Sequence, residues 1–96
     1  MINKMINNPE LNKVREKIDL IDKELLDILV KRFDLVKQVA RIKKENNLPI
    51  VDPERERKVI ESKLDLTDLP DEFVGKLYRL LIDTAVKMEV EDDNNS

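Results

Sequence analysis

The chain has 96 residues, enough for one small domain, and a domain of that size buries so little core that oligomerisation is expected to help hold it together. It contains no cysteine and no histidine, which removes disulfides, thiolate chemistry, the commonest general base and the commonest metal ligand. A formal net charge of −3 makes it a poor non-specific nucleic-acid binder. No apolar run is long enough to cross a bilayer and Met1 to Glu10 carry no signal-like apolar core, so the expected location is the cytoplasm, away from membranes. Charged residues at 41% with a single glycine, Gly75, favour long amphipathic helices over a turn-rich sheet.

Residues 1–10 read as an N-terminal extension. From there the series Leu11, Val14, Ile18, Ile21, Leu25, Ile28, Arg32, Leu35, Val39, Ile42 alternates steps of three and four without a slip, which is a helical stripe of heptad period. No proline falls between Pro9 and Pro49, and Asn46-Asn47 form a plausible stop. Such a helix of about 36 residues is about 54 Å long. A compact chain of this length has a radius of gyration of only about 12–13 Å. The helix therefore overshoots its own domain, and the apolar stripe along it argues for packing against a second copy.

Leu48 to Val51 form a connector. Asp52-Pro53-Glu54 then places a cap, a first-turn proline and a first-turn acid in the order that starts a helix, predicted over residues 53–64 with Val59, Ile60 and Leu64 inward. Residues 65–69 read as a loop. Pro70 and Asp71 open a third helix with Phe73, Leu77, Leu80, Leu81, Thr84 and Met88 on its stripe, and residues 91–96 are expected to be a disordered polar tail. The fold class is all-α, with one long, one short and one medium helix.

Several charges do not fit a bland bundle. Arg32 interrupts the apolar stripe, and arginine is rarely buried without a partner. Lys43 lies eleven residues on, close to the same angular position and about 16 Å along the axis, so both can point into one cavity. Arg15 is rotated by roughly 100° from Arg32 and does not easily reach the same cavity from the same chain, whereas in an antiparallel pair of long helices it can reach the cavity of the other chain. Asp52, Arg55 and Glu56 cluster at the start of the second helix, and Ala85 and Glu89 lie one turn apart on the third. Taken singly, each also reads as a solvated flank or half of an ion pair.

In order and at these spacings, the set resembles the all-helical chorismate mutases. The resemblance is carried by Val14-Arg15-Glu16-Lys17-Ile18-Asp19, Arg32, Lys43, the segment Pro49-Ile50-Val51-Asp52-Pro53-Glu54-Arg55-Glu56, and Tyr78-Arg79-Leu80-Leu81-Ile82-Asp83, and it covers residues 11–90. It implies an intertwined homodimeric helical bundle with two identical sites, no cofactor and no metal, rearranging chorismate to prephenate on the way to phenylalanine and tyrosine. By the same resemblance, Arg32 and Arg55 bind the substrate's carboxylates, Arg15 reaches in from the partner, and Asp52 and Glu56 hold the ring hydroxyl. Lys43 faces the ether oxygen and a carboxylate. An intramolecular Claisen rearrangement needs neither nucleophile nor metal. It needs the folded conformer held and the charge growing on the ether oxygen stabilised, for which a preorganised donor is worth about 3–4 kcal/mol.

Two positions depart from the expected pattern. Ala85 stands where a polar residue often helps bind a carboxylate. Glu89 stands where a glutamine often donates to the ether oxygen, and a carboxylate donates only when protonated. Competing readings are an isochorismate-pyruvate lyase of the same fold, a non-catalytic helical dimerisation or regulatory module, and a coiled-coil adaptor. The adaptor explains neither Arg32 in the seam nor the capped second helix.

Overall fold

The structure, a computed structural model, describes residues 8–94, and these form three helices: α1, Pro9–Glu45; α2, Pro53–Leu64; α3, Asp71–Asn94. No helix among the described residues is long and apolar enough to cross a membrane. The chain divides into two units, one ending at Phe33 and the other beginning at Asp34.

The described part of the first unit is the leading stretch of α1 with its cap. The Asn8 side chain accepts from the Leu11 N–H at 3.0 Å and its carbonyl accepts from the Asn12 N–H at 2.8 Å. Pro9 occupies the first turn, where its missing N–H costs nothing, and Glu10 suits the positive helix end. This cap starts the helix two residues before Leu11. Most of the expected extension, residues 1–7, lies outside the described residues. The apolar stripe positions of this unit are exposed, from Leu11 at 39% to Ile21 at 61%.

In the second unit α1 ends in a Schellman arrangement. Leu48 N–H donates to the Lys43 carbonyl at 2.8 Å and Asn47 N–H to that of Lys44 at 3.3 Å. Asn47 takes φ 54°, a left-handed conformation that asparagine tolerates better than most side chains. Asn46 also donates from its side chain to the Ile42 carbonyl at 2.8 Å. This is the stop expected from Asn46-Asn47.

α2 covers the predicted residues. The Asp52 carboxylate caps it by accepting from the Arg55 N–H at 3.1 Å, with Pro53 in the first turn. Arg57 ties the exposed face together, donating to Glu54 at 2.7 Å and Glu61 at 2.8 Å, and these hydrogen bonds raise its pKa, Glu54 contributing most. Val59, Ile60 and Leu64 are half-buried, and no residue of α2 is fully buried.

α2 and α3 pack against each other. The buried residues of α3 are Val74, Leu81, Ile82 and Glu89, joined in this unit by Ala40 of α1. This corrects the expected stripe: Leu81 is buried and Leu77, Thr84 and Met88 are half-buried, but Phe73 and Leu80 are exposed at 53% and 65%. Val74 and Leu81 follow them by one residue, a rotation of about 100°, so the face this chain covers is turned from the one read off the apolar spacing. α3 also continues through Glu91 and Asp92 to Asn94, into the expected tail, with residues 95–96 outside the described residues. No basic residue lies in its last turn, so that end is uncompensated against the helix dipole.

Asp52 is expected to contribute stability through its cap independently of any substrate role. Urea unfolding of Asp52→Ala should show a loss of about 1 kcal/mol, whereas Asp52→Asn, which keeps the acceptor, should lose only a few tenths.

Candidate active site

Among the described residues of the second unit one carboxylate is buried, and it is paired. Glu89, 7% exposed near the end of α3, accepts at Oε2 from Lys43 Nζ at 2.9 Å. The same ammonium donates to the backbone carbonyl of Ile50 at 2.7 Å, in the connector between α1 and α2. Lys43 is itself only 21% exposed. The end of α1, the connector that follows it and the end of α3, 46 residues from Lys43, thus meet at one nitrogen. A buried carboxylate is costly without a cation or several donors, and here Lys43 supplies the charge.

An ammonium has three N–H donors. Two are engaged by Ile50 and Glu89, leaving one for a ligand. Sequence reasoning gives Lys43 two substrate contacts; in this arrangement the second requires Glu89 or the carbonyl to yield a donor.

A second polar junction joins α2 to α3. Glu56, 17% exposed in the first turn of α2, accepts at Oε1 from Arg79 Nη1 at 3.1 Å, and the same Nη1 lies 3.5 Å from Asp83 Oδ1, one turn further along α3. The Asp52 cap sits four residues before Glu56, so the two acids proposed to act together frame the start of α2, and Asp52 already has one oxygen engaged by backbone. Arg55 is exposed between them. Ala85 is half-buried one turn before Glu89 and offers only a methyl group. In the first unit Arg15 is exposed and Arg32 is half-buried.

The structure therefore brings Lys43 and Glu89 into contact. It places Asp52, Arg55 and Glu56 together at one helix start, as the sequence spacing implies. Sequence reasoning misses two contributors. The Ile50 carbonyl is a backbone atom that no residue type announces. Arg79 enters the sequence reading only as part of the segment Tyr78–Asp83, because its link to Glu56 spans 23 residues and obeys no periodicity; the one local signal is Asp83 four residues on, a spacing that pairs charges on a helix. Chemically, the Lys43 junction can aim a fixed cationic donor at an electron-rich oxygen. It contains no thiol, hydroxyl or imidazole.

The family description "chorismate mutase type II" matches residues 14–90, and the chain belongs to that family. It is similar to the chorismate mutase of Methanocaldococcus jannaschii, 39% identical over 77 residues that cover 77% of this chain and 78% of that protein. It is 38% identical over 86 residues to the bifunctional chorismate mutase/prephenate dehydratase of Aquifex aeolicus, covering 83% of this chain but spanning only 24% of that longer protein. Among solved structures, a chorismate mutase (form II) from Thermus thermophilus superposes with a TM-score of 0.79 at 27% identity, over 83% of this chain and 93% of that one. The all-helical fold class expected from the sequence is that of these relatives.

Removing Lys43 alone strands the Glu89 carboxylate. Lys43→Met is expected to destabilise the chain by about 2 kcal/mol in urea unfolding, and adding Glu89→Met should restore most of that loss. With Glu89→Met measured alone, losses of the two single variants that simply add in the double variant would show that the pair carries no coupling.

Proposed function

We propose that this chain catalyses the rearrangement of chorismate to prephenate in the cytoplasm, as an intertwined homodimer with two identical sites. The observation that carries the reading is the Lys43 ammonium, part-buried and held by Glu89 and the Ile50 carbonyl, in a chain that belongs to the chorismate mutase type II family. In this reading the one uncommitted N–H of Lys43 faces the ether oxygen as its bond to carbon breaks. Arg32 and Arg55 take the substrate's two carboxylates, for which the planar guanidinium suits bidentate capture, and Arg15 enters from the second copy. Asp52 and Glu56 accept from the ring hydroxyl, and Ala85 lines the site without donating. One C–O bond breaks and one C–C bond forms within the same molecule, so the protein supplies positioning and charge stabilisation alone.

The second copy is supported by the exposed stripe of α1. Val14, Ile18, Ile21, Leu25 and Ile28 are between 49% and 61% exposed, and full burial of such a side chain is worth about 1.5–3 kcal/mol. Substitution of both Ile21 and Leu25 by lysine is expected to give a monomer by analytical ultracentrifugation and to remove turnover, since the site then lacks the partner's Arg15.

The direct test is loss of chorismate absorbance on adding the purified chain, with prephenate identified as the product. Lys43→Ala should abolish turnover while far-UV circular dichroism stays helical. Because the Glu89 carboxylate accepts from Lys43 and offers the ether oxygen no donor, Glu89→Gln, whose amide donates, should keep or raise turnover near neutral pH. A large loss in Glu89→Gln removes Glu89 from this role. The engagement of Lys43 by Glu89 also favours a second reading, a non-catalytic module of the same fold, which binding without turnover would reveal.

A further inference from the structure

We propose that Arg79 is a positioning residue that sets the Glu56 carboxylate for the substrate's ring hydroxyl; this rests on the mutase reading of the site. Glu56 belongs to the first turn of a helix with no fully buried residue, yet its side chain is only 17% exposed. A glutamate in that setting has several staggered rotamers open to it unless something selects one. Arg79 does so from the neighbouring helix. Its Nη1 donates to Oε1 at 3.1 Å, and Asp83 Oδ1, 3.5 Å from the same nitrogen, holds the guanidinium from its own helix. The chain Asp83–Arg79–Glu56 engages Oε1 and leaves Oε2 to accept a hydroxyl proton.

Charge gives Arg79 a second effect. The proposed ligand is a dianion, and Asp52, Glu56 and Glu89 are all acids. Lys43 faces Glu89, and Arg79 faces Glu56. Without Arg79, a carboxylate close to a doubly negative ligand stands uncompensated, and like charges at short range repel. The consequence falls on binding. Arg79 contacts no reacting bond, so its loss raises KM and leaves kcat nearly unchanged, a split that a mere pin between α2 and α3 does not produce.

The experiment is a kinetic double-mutant cycle on the full chain: wild type, Arg79→Met, Arg79→Lys, Glu56→Met and the double variant Arg79→Met/Glu56→Met, with thermal unfolding of each. Arg79→Met is expected to raise KM roughly 5- to 10-fold, with kcat within about twofold, and Arg79→Lys to recover most of the loss. The double variant should match Glu56→Met alone, because Arg79 has nothing left to orient. Should Arg79→Met fail to fold, Arg79→Gln takes its place in the cycle. A wild-type KM in Arg79→Met, or KM effects that multiply in the double variant, overturns the proposal while leaving the mutase reading intact. If the wild type lacks turnover but binds prephenate in a calorimeter, the mutase reading falls, and the same cycle read as prephenate affinity decides Arg79 by the same ratios. A chain that neither turns over chorismate nor binds prephenate overturns both.

Discussion

A buried carboxylate with one cation beside it organises the second unit. Without Lys43, Glu89 would be a buried charge with no cation beside it, and the loss of about 2 kcal/mol that this entails is a large share of what a small domain has in hand. Lys43, in turn, is held in the last turn of α1 by the Ile50 carbonyl, and Ile50 is where it is because the Schellman turn at Asn47 redirects the chain. The helix stop, the connector and the far end of α3 thus depend on one nitrogen. The same constraint defines the chemistry. A lysine tied down on two of its three donors is a preorganised donor, with little reorganisation left to make when charge develops on a ligand oxygen.

Much of this is legible in the sequence, and the legible part is what local physics decides. The unbroken three-four stripe requires a long first helix; Asn46-Asn47 require its end; Asp52-Pro53-Glu54 require the start of the second. Each is a decision among neighbours in the chain, and each holds in the structure. The buried face of α3 is another matter. Phe73, Leu77 and Leu80 make a respectable apolar stripe, but the face this chain covers runs through Val74, Leu81, Ile82 and Glu89. A helix with apolar residues on more than one side does not declare which side its own chain covers; packing across the unit chooses. The Arg79–Glu56 contact is hidden for the same reason, since its partners are set by how α2 meets α3.

The exposed apolar side chains are the counterpart of the small core. Among the described residues, Ala40, Val74, Leu81 and Ile82 are the buried hydrophobic ones, too few to stabilise a domain of this size unaided. Meanwhile the stripe from Leu11 to Ile28 stands exposed along α1. A length of helix that buries nothing has little reason to persist in water, because helix propagation alone barely offsets the cost of ordering the backbone. The stability missing from the small core and the apolar area left on the surface are two sides of one balance, which a second copy of the chain would close.

The acids around the junctions set the remaining electrostatic question. A site for a dianion gains from every cation that converges on it and loses from every carboxylate that shares the space. Lys43 is committed to Glu89, and Arg79 to Glu56. In the proposed site the further positive charge comes from Arg15, Arg32 and Arg55, together with the last N–H of Lys43. Arginine serves this role better than lysine would: its guanidinium is less strongly hydrated, stays charged at any working pH, and presents paired donors to a carboxylate. Ala85 adds nothing to the sum, and the Glu89 carboxylate subtracts from it. The side chain that makes Lys43 rigid is thus the one that offsets its charge, and an amide in its place would release that charge to the ligand while supplying a donor beside the acceptor.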